Sequence, residues 1–320
     1  MPPFIPRDFR CDLYRQLNPD LKEIVKDELT ARLHWLGKGY QQGRLYHPKQ
    51  LVVTAEFGQE LLCYTCYYYY LYKQKLLFDN KITTYRGMRP YYWFVKPENL
   101  IERDNPRSFV EVKDRPLLFN RNEHVANFDY RYWRTLPLRS LYPPNQPVFG
   151  NTKPLLVIHN KYNDEWDTRR AINFIPVAEL LQLVKSLQHK YQIIYLRALG
   201  TEQGFSRDHN RELPNFRDHE QLPETVWSFN KLLEQQPSFS YNELKIRLYS
   251  QCRHFIGVQG GSSHFAAFFG GRQLVLHIKG NESSSGAYNG WYRKLSSKEV
   301  PLELTVVNTP AALVAAARKW

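Results

Sequence analysis

One stretch of the sequence, HFIGVQGGSSHFAAFFGG over residues 254–271, is suited to holding an anion. It reads as an apolar strand, a glycine turn and the first turn of a helix. Amides at a helix start have no acceptor inside the helix and carry partial positive charge, so they bind phosphate, and serine hydroxyls and an imidazole add donors. The alternative is a capped helix whose glycines serve packing only. The candidate residues are Gln259, Gly260, Gly261, Ser262, Ser263 and His264.

Polar side chains follow three other predicted strands. Arg197 ends the strand IIYLR, where a guanidinium can pair with phosphate oxygens or form a surface salt bridge. Asn160, Lys161 and Tyr162 lie in the loop HNKYNDEWD, which is either a binding loop or a hydrogen-bonded turn. Glu56 follows the first strand of the other half of the chain. It is a candidate general base, with the charge of a helix start as the alternative.

Several familiar site patterns are missing from the sequence. The glycine turn has no following lysine of a P-loop and is not Gly-x-Ser-x-Gly, which argues against a P-loop enzyme and a serine hydrolase. Arginines flank the pairs Asp208–His209 and Asp218–His219, so we expect a solvated loop there and no metal site. The sequence CYTC has no second cysteine pair for zinc, and ELLCYTCYYYYLY predicts a buried helix with reduced thiols.

Strands alternating with helices in the second half of the chain predict a parallel, doubly wound sheet. We expect three units: a helical unit over 1–47, an α/β domain over 48–150 and a second α/β domain over 151–320. Prolines over 142–147 indicate an interdomain linker. Ligands of such sheets bind at the carboxyl ends of strands, so we expect the site in a cleft between the two α/β domains. The final PAALVAAARKW predicts a helix that packs back across the domains.

The charge of the chain favours an anionic partner. Its 320 residues include 44 Lys and Arg but 31 Asp and Glu, a net charge of +13. Nucleic acid, an acidic membrane surface and a phosphorylated small molecule all fit this charge. Interleaved Arg and Tyr make a single-stranded nucleic-acid-binding protein the main alternative function, although the polar loops at strand ends suit a small ligand better. No apolar segment is long enough to span a bilayer, so we expect a cytoplasmic protein, or one held at a membrane surface by charge.

Several stretches together resemble the nucleotide-sugar glycosyltransferases of the GT-B fold, and within them fucosyltransferase-like enzymes. They are AEFGQELLCY, IHNKYNDEW, YQIIYLRALG, YNELKIRLYSQCRHFIGVQGGSSHFAAFFGG and KGNE. YRQLNPDL and LHWLGKGYQQGRLYH are similar to a helical module attached to polysaccharide glycosyltransferases. The likeness covers most of residues 10–45 and 51–70 and much of 155–282. It implies two Rossmann-like domains, a nucleotide-sugar donor as co-substrate, a glycan or polysaccharide acceptor and no further cofactor.

The resemblance also implies roles for single residues. It places the donor diphosphate on the C-terminal domain against residues 260–264, with Arg197 and Lys161 neutralising charge. Glu282, in KGNE, would hold a ribose or sugar hydroxyl, and the acceptor would enter from the N-terminal domain. The fucosyltransferase motif His-x-Arg-Arg-x-Asp is absent and YLRALG supplies one arginine, so GDP-fucose is not implied as the donor.

These inferences predict a metal-independent glycosyl transfer. Helix amides, Arg197 and His264 would stabilise the charge that gathers on the departing diphosphate. A carboxylate or a histidine would accept the proton of the acceptor hydroxyl, and Glu56 is the first candidate. On this hypothesis Arg197→Ala removes transfer and leaves the fold intact. A relative that binds sugar or nucleotide without turnover is a further alternative.

Overall fold

The computed structural model describes residues 4–6, 9–42, 44, 46, 50–74, 77, 80–104, 107, 133–142, 150, 153–165, 168–197 and 212–320. Most of the predicted linker over 142–147 and the pair Asp208–His209 lie outside these residues. Within them, the chain forms a group of N-terminal helices and two parallel sheets. No helix of the described part has the length and apolar character needed to cross a membrane.

The N-terminal residues are helical, as predicted. Helix α1 spans Cys11–Leu17 and α2 spans Glu28–His34, and α2 continues as a π-helical turn over Trp35–Gly39. Asp27 caps α2, because its carboxylate accepts the amide of Thr30 and the Thr30 hydroxyl accepts the amide of Asp27. A separate small apolar core joins these helices.

The first sheet has three parallel strands in the order β1-β2-β3. Strand β1 spans Gln50–Val52, β2 spans Lys81–Tyr85 and β3 spans Leu100–Arg103. Between β1 and β2 the chain forms α3 over Phe57–Gln59, a π-helical stretch over Glu60–Thr65 and α4 over Cys66–Lys73. Most side chains of residues 57–73 are buried, as predicted from the apolar and aromatic run. The short helix α5 spans Leu138–Leu141.

The second sheet has six parallel strands in the order β6-β5-β4-β7-β8-β9. The alternation of strands and helices was predicted from the sequence, whereas the short β6 and the edge strand β9 were not. The strands are β4 Leu155–His159, β5 Gln192–Leu196, β6 Trp227–Ser228, β7 His254–Val258, β8 Gly271–Leu276 and β9 Leu302–Val307.

Helices cover both faces of this sheet. They are α6 Val177–Leu187, α7 Asp218–Gln221, α8 Phe229–Gln235, α9 Tyr241–Gln251, α10 Gly261–Ala267, α11 Asn281–Ser284 and α12 Pro310–Ala317. The short α7 and α11 bury no apolar side chain, whereas the other five helices pack through buried apolar residues. The expectation that the last helix packs across the domains is wrong. Leu313 and Val314 of α12 join the apolar cluster of α6 and β8, so α12 covers its own sheet.

The two sheets are joined by a packed contact. One cluster of buried apolar residues continues from the helix after β1 into α9 and α10. The Tyr91 hydroxyl donates to the Asn242 side chain at 3.1 Å, and the Asn242 amide donates to the Gly87 carbonyl at 2.6 Å. The Lys245 ammonium lies 5.1 Å from the ring centre of Phe57, a cation–π contact between the halves. Here helices and loops of the two halves pack against each other, at a place where the sequence predicted a cleft. The domain limits stay a prediction.

Candidate functional site

The order of the second sheet creates a switch point between β4 and β7. From β4 the chain adds β5 and β6 on one side, then crosses over to add β7, β8 and β9 on the other. The loops that leave β4 and β7 therefore diverge, and in open parallel sheets the crevice between such loops is where ligands bind. The structure brings together here the loop that begins at Asn160 and the turn that begins at Gln259, which the sequence analysis selected separately.

The turn after β7 requires glycine at one position. Gly260 has φ of 119° and ψ of −167°, a backbone conformation that is strained for a residue with a side chain. A Cβ at this position would meet only the Lys161 ammonium, at 3.4 Å. On the side where its Cβ would lie, Gly260 therefore faces only this cation. The amides of Gly261 and Ser262 are in the first turn of α10, where no helical acceptor is available. These features agree with an anion-binding turn.

Ser263 has a different position from the one predicted. Its side chain is buried, and its hydroxyl donates at 2.6 Å to the Val258 carbonyl at the end of β7. The bond ties the helix start to the strand and directs the hydroxyl away from the turn. Ser263 is therefore a structural residue of the turn, whereas Ser262 is half-exposed.

His264 is the most unusual polar group of the site. It is 8 % exposed, and both ring nitrogens are buried without a hydrogen-bond partner among the described residues. Its ring meets the edges of Trp291 and Tyr292, with centroids 5.0 and 5.2 Å away, and a Cβ on Gly58 would approach its Nδ1 to 3.1 Å. Burial lowers the pKa of His264 to about 4, so the imidazole is neutral near pH 7. The donor role predicted for His264 therefore depends on the single N–H of a neutral imidazole.

A close contact between two glycines connects His264 to the first sheet. A Cβ on Gly58 would come within 2.9 Å of the Gly261 Cα, and one on Gly261 within 3.2 Å of the Gly58 Cα. Backbone atoms of α3 and α10 thus touch with no room for a side chain. Glu56 is two residues before Gly58, half-exposed at the start of α3. Its predicted role as a base stays a prediction.

A polar network links the ends of β4, β7 and β8. The Lys161 ammonium donates to Glu165 and lies 3.4 Å from the Gln259 side-chain oxygen. The Gln259 amide in turn donates to Glu282, whose carboxylate oxygen lies 3.8 Å from the His264 Nε2. Four predicted donor-binding or catalytic residues are therefore close together. The network alternates cations, amides and carboxylates across the three loops.

Asn173, which was not predicted from the sequence, holds this network in place. It is buried, its backbone amide donates at 2.8 Å to Glu165, and its side-chain oxygen accepts the amides of Ile278 and Lys279. It therefore clamps the loop after β4 to the loop after β8. Its position in an irregular loop gives no pattern from which this role could be predicted.

Asn160 and Tyr162 face protein groups. The Asn160 side chain is buried, donates to the Ile175 carbonyl and accepts the Ile175 amide, both at 2.9 Å, so it is a scaffold residue and not the predicted donor ligand. The ring of Tyr162 stacks on Phe216, with centroids 4.2 Å apart and planes at 6°. One face of Tyr162 is thereby covered, and Phe174 meets it edge-on.

Arg197 is paired with two carboxylates. Its guanidinium donates to Asp218, which is completely buried, and to Glu212. The Tyr195 hydroxyl also donates to Asp218. The solvated loop predicted around Asp218 is therefore wrong at that residue. A diphosphate would have to compete with two carboxylates for the Arg197 charge, which argues against the role predicted for Arg197.

Arg197→Ala is expected to lower the free energy of unfolding by about 3–5 kcal/mol, because it leaves the Asp218 carboxylate buried without its cation. From the sequence alone, this variant was expected to keep its fold intact. Adding Asp218→Asn removes the stranded charge and should recover part of the loss. Urea denaturation of both variants measures the two effects, and wild-type stability of Arg197→Ala would contradict this structural role.

Within the described ranges, no group of three or more His, Cys, Asp or Glu side chains could hold a metal ion. The loops that leave β4, β7 and β8 contain hydrogen-bond donors and one lysine ammonium that could bind an anion. They also contain the carboxylates of Glu165 and Glu282, which accept bonds from Lys161 and Gln259.

Comparisons with known proteins found little. No protein-family model matches the chain, and no curated protein matches it. Two solved structures of the wall teichoic acid polymerase TagF, one of them a variant, align with 79 % of this chain at 13 % identity and a TM-score of 0.29. The chain spans about half the length of that polymerase, since the alignment covers 51 % of it. A likeness of this size establishes neither a family nor a function.

Proposed function

We propose that this protein is a glycosyltransferase that moves a sugar from a nucleotide-sugar donor to a glycan or polysaccharide acceptor without a metal. In this proposal the six-stranded sheet binds the donor and the three-stranded sheet contributes the acceptor side, as in a GT-B arrangement of two Rossmann-like domains. We place the enzyme in the cytoplasm, with contact to an acidic membrane surface as a further proposal from the net charge, and without a nucleic-acid partner.

One observation carries the proposal. At the switch point of a parallel sheet, a glycine turn that faces a lysine ammonium at Gly260 is next to a buried histidine that has no hydrogen-bond partner among the described residues. Buried polar groups in proteins are nearly always paired, so an imidazole beside the amides of a helix start suits an anionic ligand. A diphosphate supplies the acceptors that the amides of Gly261 and Ser262 and the ring of His264 lack.

The chemistry follows from these groups. Charge develops on the diphosphate as the bond to the sugar breaks, and fixed donors aimed at that charge lower the barrier. Lys161 is the cation best placed for this role, because its ammonium faces the turn at Gly260. An ammonium has three donors, and the bonds to Glu165 and Gln259 use two of them. Glu282 would accept a hydroxyl of the donor, and Glu56 would accept the proton of the acceptor.

A thermal-shift panel of UDP-, GDP-, CMP- and dTDP-sugars, each with and without EDTA, tests this function. A donor that binds the folded state stabilises it by about 2.7 kcal/mol at one hundred times its Kd. We expect at least one nucleotide-sugar to raise the Tm, equally with EDTA, and Lys161→Ala to reduce the shift. Free glucose and uridine, which lack phosphate, are the control. Absence of any shift across the panel would overturn the proposal.

A further inference from the structure

His264 is neutral in the ligand-free protein, although the proposed function places a diphosphate beside it. Its two ring nitrogens are buried and unpartnered among the described residues, so one of them is an acceptor with no donor. An anion in the turn offers only acceptors. A neutral imidazole can donate its single N–H to such an acceptor. Its other nitrogen carries no proton and cannot donate to a second acceptor.

The surroundings of His264 can stabilise an added proton. Glu282 on α11 is 3.8 Å from Nε2, and its carboxylate raises the pKa of the imidazole, whereas Lys161 after β4 lowers it and burial lowers it most. The other groups against the ring are uncharged: the backbone of Gly58 on α3, and the rings of Trp291 and Tyr292. Burial also keeps Tyr292 neutral by raising its pKa. One carboxylate thus already faces the ring, and a bound anion would add to its effect.

We propose that His264 takes up one proton from solvent when the diphosphate of the donor binds in the turn from Gln259 to Ser262. His264 is then a cation only while the donor or its diphosphate product is bound, and it loses the proton when the product leaves. This inference rests on the proposed function. The imidazolium would face the Glu282 carboxylate through its Nε2, and the diphosphate in the turn would add a second negative charge close to the ring.

The size of the effect follows from Coulomb's law. A negative charge about 6 Å from the ring, at an effective dielectric constant of about 20, raises a pKa by about 2. Starting from about 4 in the free protein, one or two phosphate charges bring the pKa of His264 to about 6–8. Because the pKa is higher in the complex, donor affinity is highest at low pH. The affinity is constant below the pKa of the free protein, about 4, falls by up to about tenfold per pH unit between that value and the new pKa, and is constant above the new pKa.

Isothermal titration calorimetry measures the proton directly. UDP-glucose, GDP-mannose and dTDP-glucose are titrated in PIPES, ACES and imidazole, whose ionisation enthalpies differ, at several pH values. Their phosphates do not titrate near neutral pH, so any proton taken up goes to the protein. At about pH 6 we expect roughly 0.5–1 proton per bound molecule, decreasing towards pH 8.5.

Variants identify the group that takes the proton. His264→Gln keeps a hydrogen-bonding side chain but does not titrate, so it should bind with uptake close to zero. His277→Gln is the matched control, because His277 is in the same region but bonds to the Tyr288 hydroxyl at 2.6 Å, and it should keep the uptake. Circular dichroism shows whether each variant is folded, and His264→Asn replaces the glutamine variant if that one is not.

The outcomes separate this inference from the proposed function. Binding by wild type without proton uptake between about pH 5.5 and 7.5 overturns the inference and leaves the function standing. Uptake that persists in His264→Gln, whether or not Glu282→Gln abolishes it, also overturns it. Failure of every nucleotide-sugar to bind overturns both.

Discussion

Gly58→Ala is expected to reduce donor binding and glycosyl transfer roughly 100-fold and to lower the free energy of unfolding by about 1–3 kcal/mol. The added methyl group would come within 2.9 Å of the Gly261 Cα and 3.1 Å of the His264 Nδ1. The first of these neighbours is backbone and cannot rotate away. The turn that carries the Gly261 amide must therefore move, and with it the proposed diphosphate site.

Gly37→Ala is the matched control for this variant. Gly37 is also helical, but a Cβ there meets no atom within 4 Å, so the same change should leave activity at the wild-type level. Melting curves and titration with the stabilising nucleotide-sugar measure both effects. A Gly58→Ala protein with wild-type Tm and affinity would show that the glycine contact has no role in the site.

Glu60→Ala is expected to lower the free energy of unfolding by about 3–5 kcal/mol, as large an effect on stability as that predicted for Arg197→Ala. Glu60 and Arg107 form a completely buried ion pair at 2.6 Å. Glu60 also accepts hydrogen bonds from the hydroxyls of Thr84 and Tyr92. Removing the carboxylate leaves a buried guanidinium and two hydroxyls without their acceptor. Urea denaturation, followed by tyrosine and tryptophan fluorescence, gives the difference.

Two further variants identify the cause of this loss. Glu60→Gln keeps an acceptor for the hydroxyls but removes the charge, so it should be less destabilising than alanine. Asp104→Ala breaks the ion pair with Arg86, in which both side chains are more than half exposed, and should cost less than about 1 kcal/mol. Equal losses for Glu60→Ala and Asp104→Ala would contradict the importance of burial.

Local patterns predicted much of the fold of the second half. The periodicity of apolar residues located β4, α6, β5, α9, β7, α10 and β8 in the correct order, because side-chain spacing follows directly from helix and strand geometry. The short β6 and the edge strand β9 were missed. Strand β9 has the sequence LELTVV, in which apolar and polar residues alternate over the first five positions, so a strand signal was present there.

The features of the candidate site that depend on backbone conformation were predictable from the sequence. Gly260 was predicted to form a tight turn, and its φ of 119° requires glycine. Side-chain partners were not predictable in the same way. Arg197 and Asn160 have suitable chemistry and follow strands, yet the structure gives them carboxylate and backbone partners. Asn173, which links two loops of the site, has no local sequence signal.

The sequence by itself determined the alternation of strands and helices, the glycine turn after β7 and the excess of positive charge, since each depends on neighbouring residues or on composition. Only the tertiary structure decided that Gly58 touches Gly261 and that His264 is buried without a partner among the described residues. The physical reason is that pairing and desolvation depend on groups more than a hundred residues apart, which meet only when the chain packs.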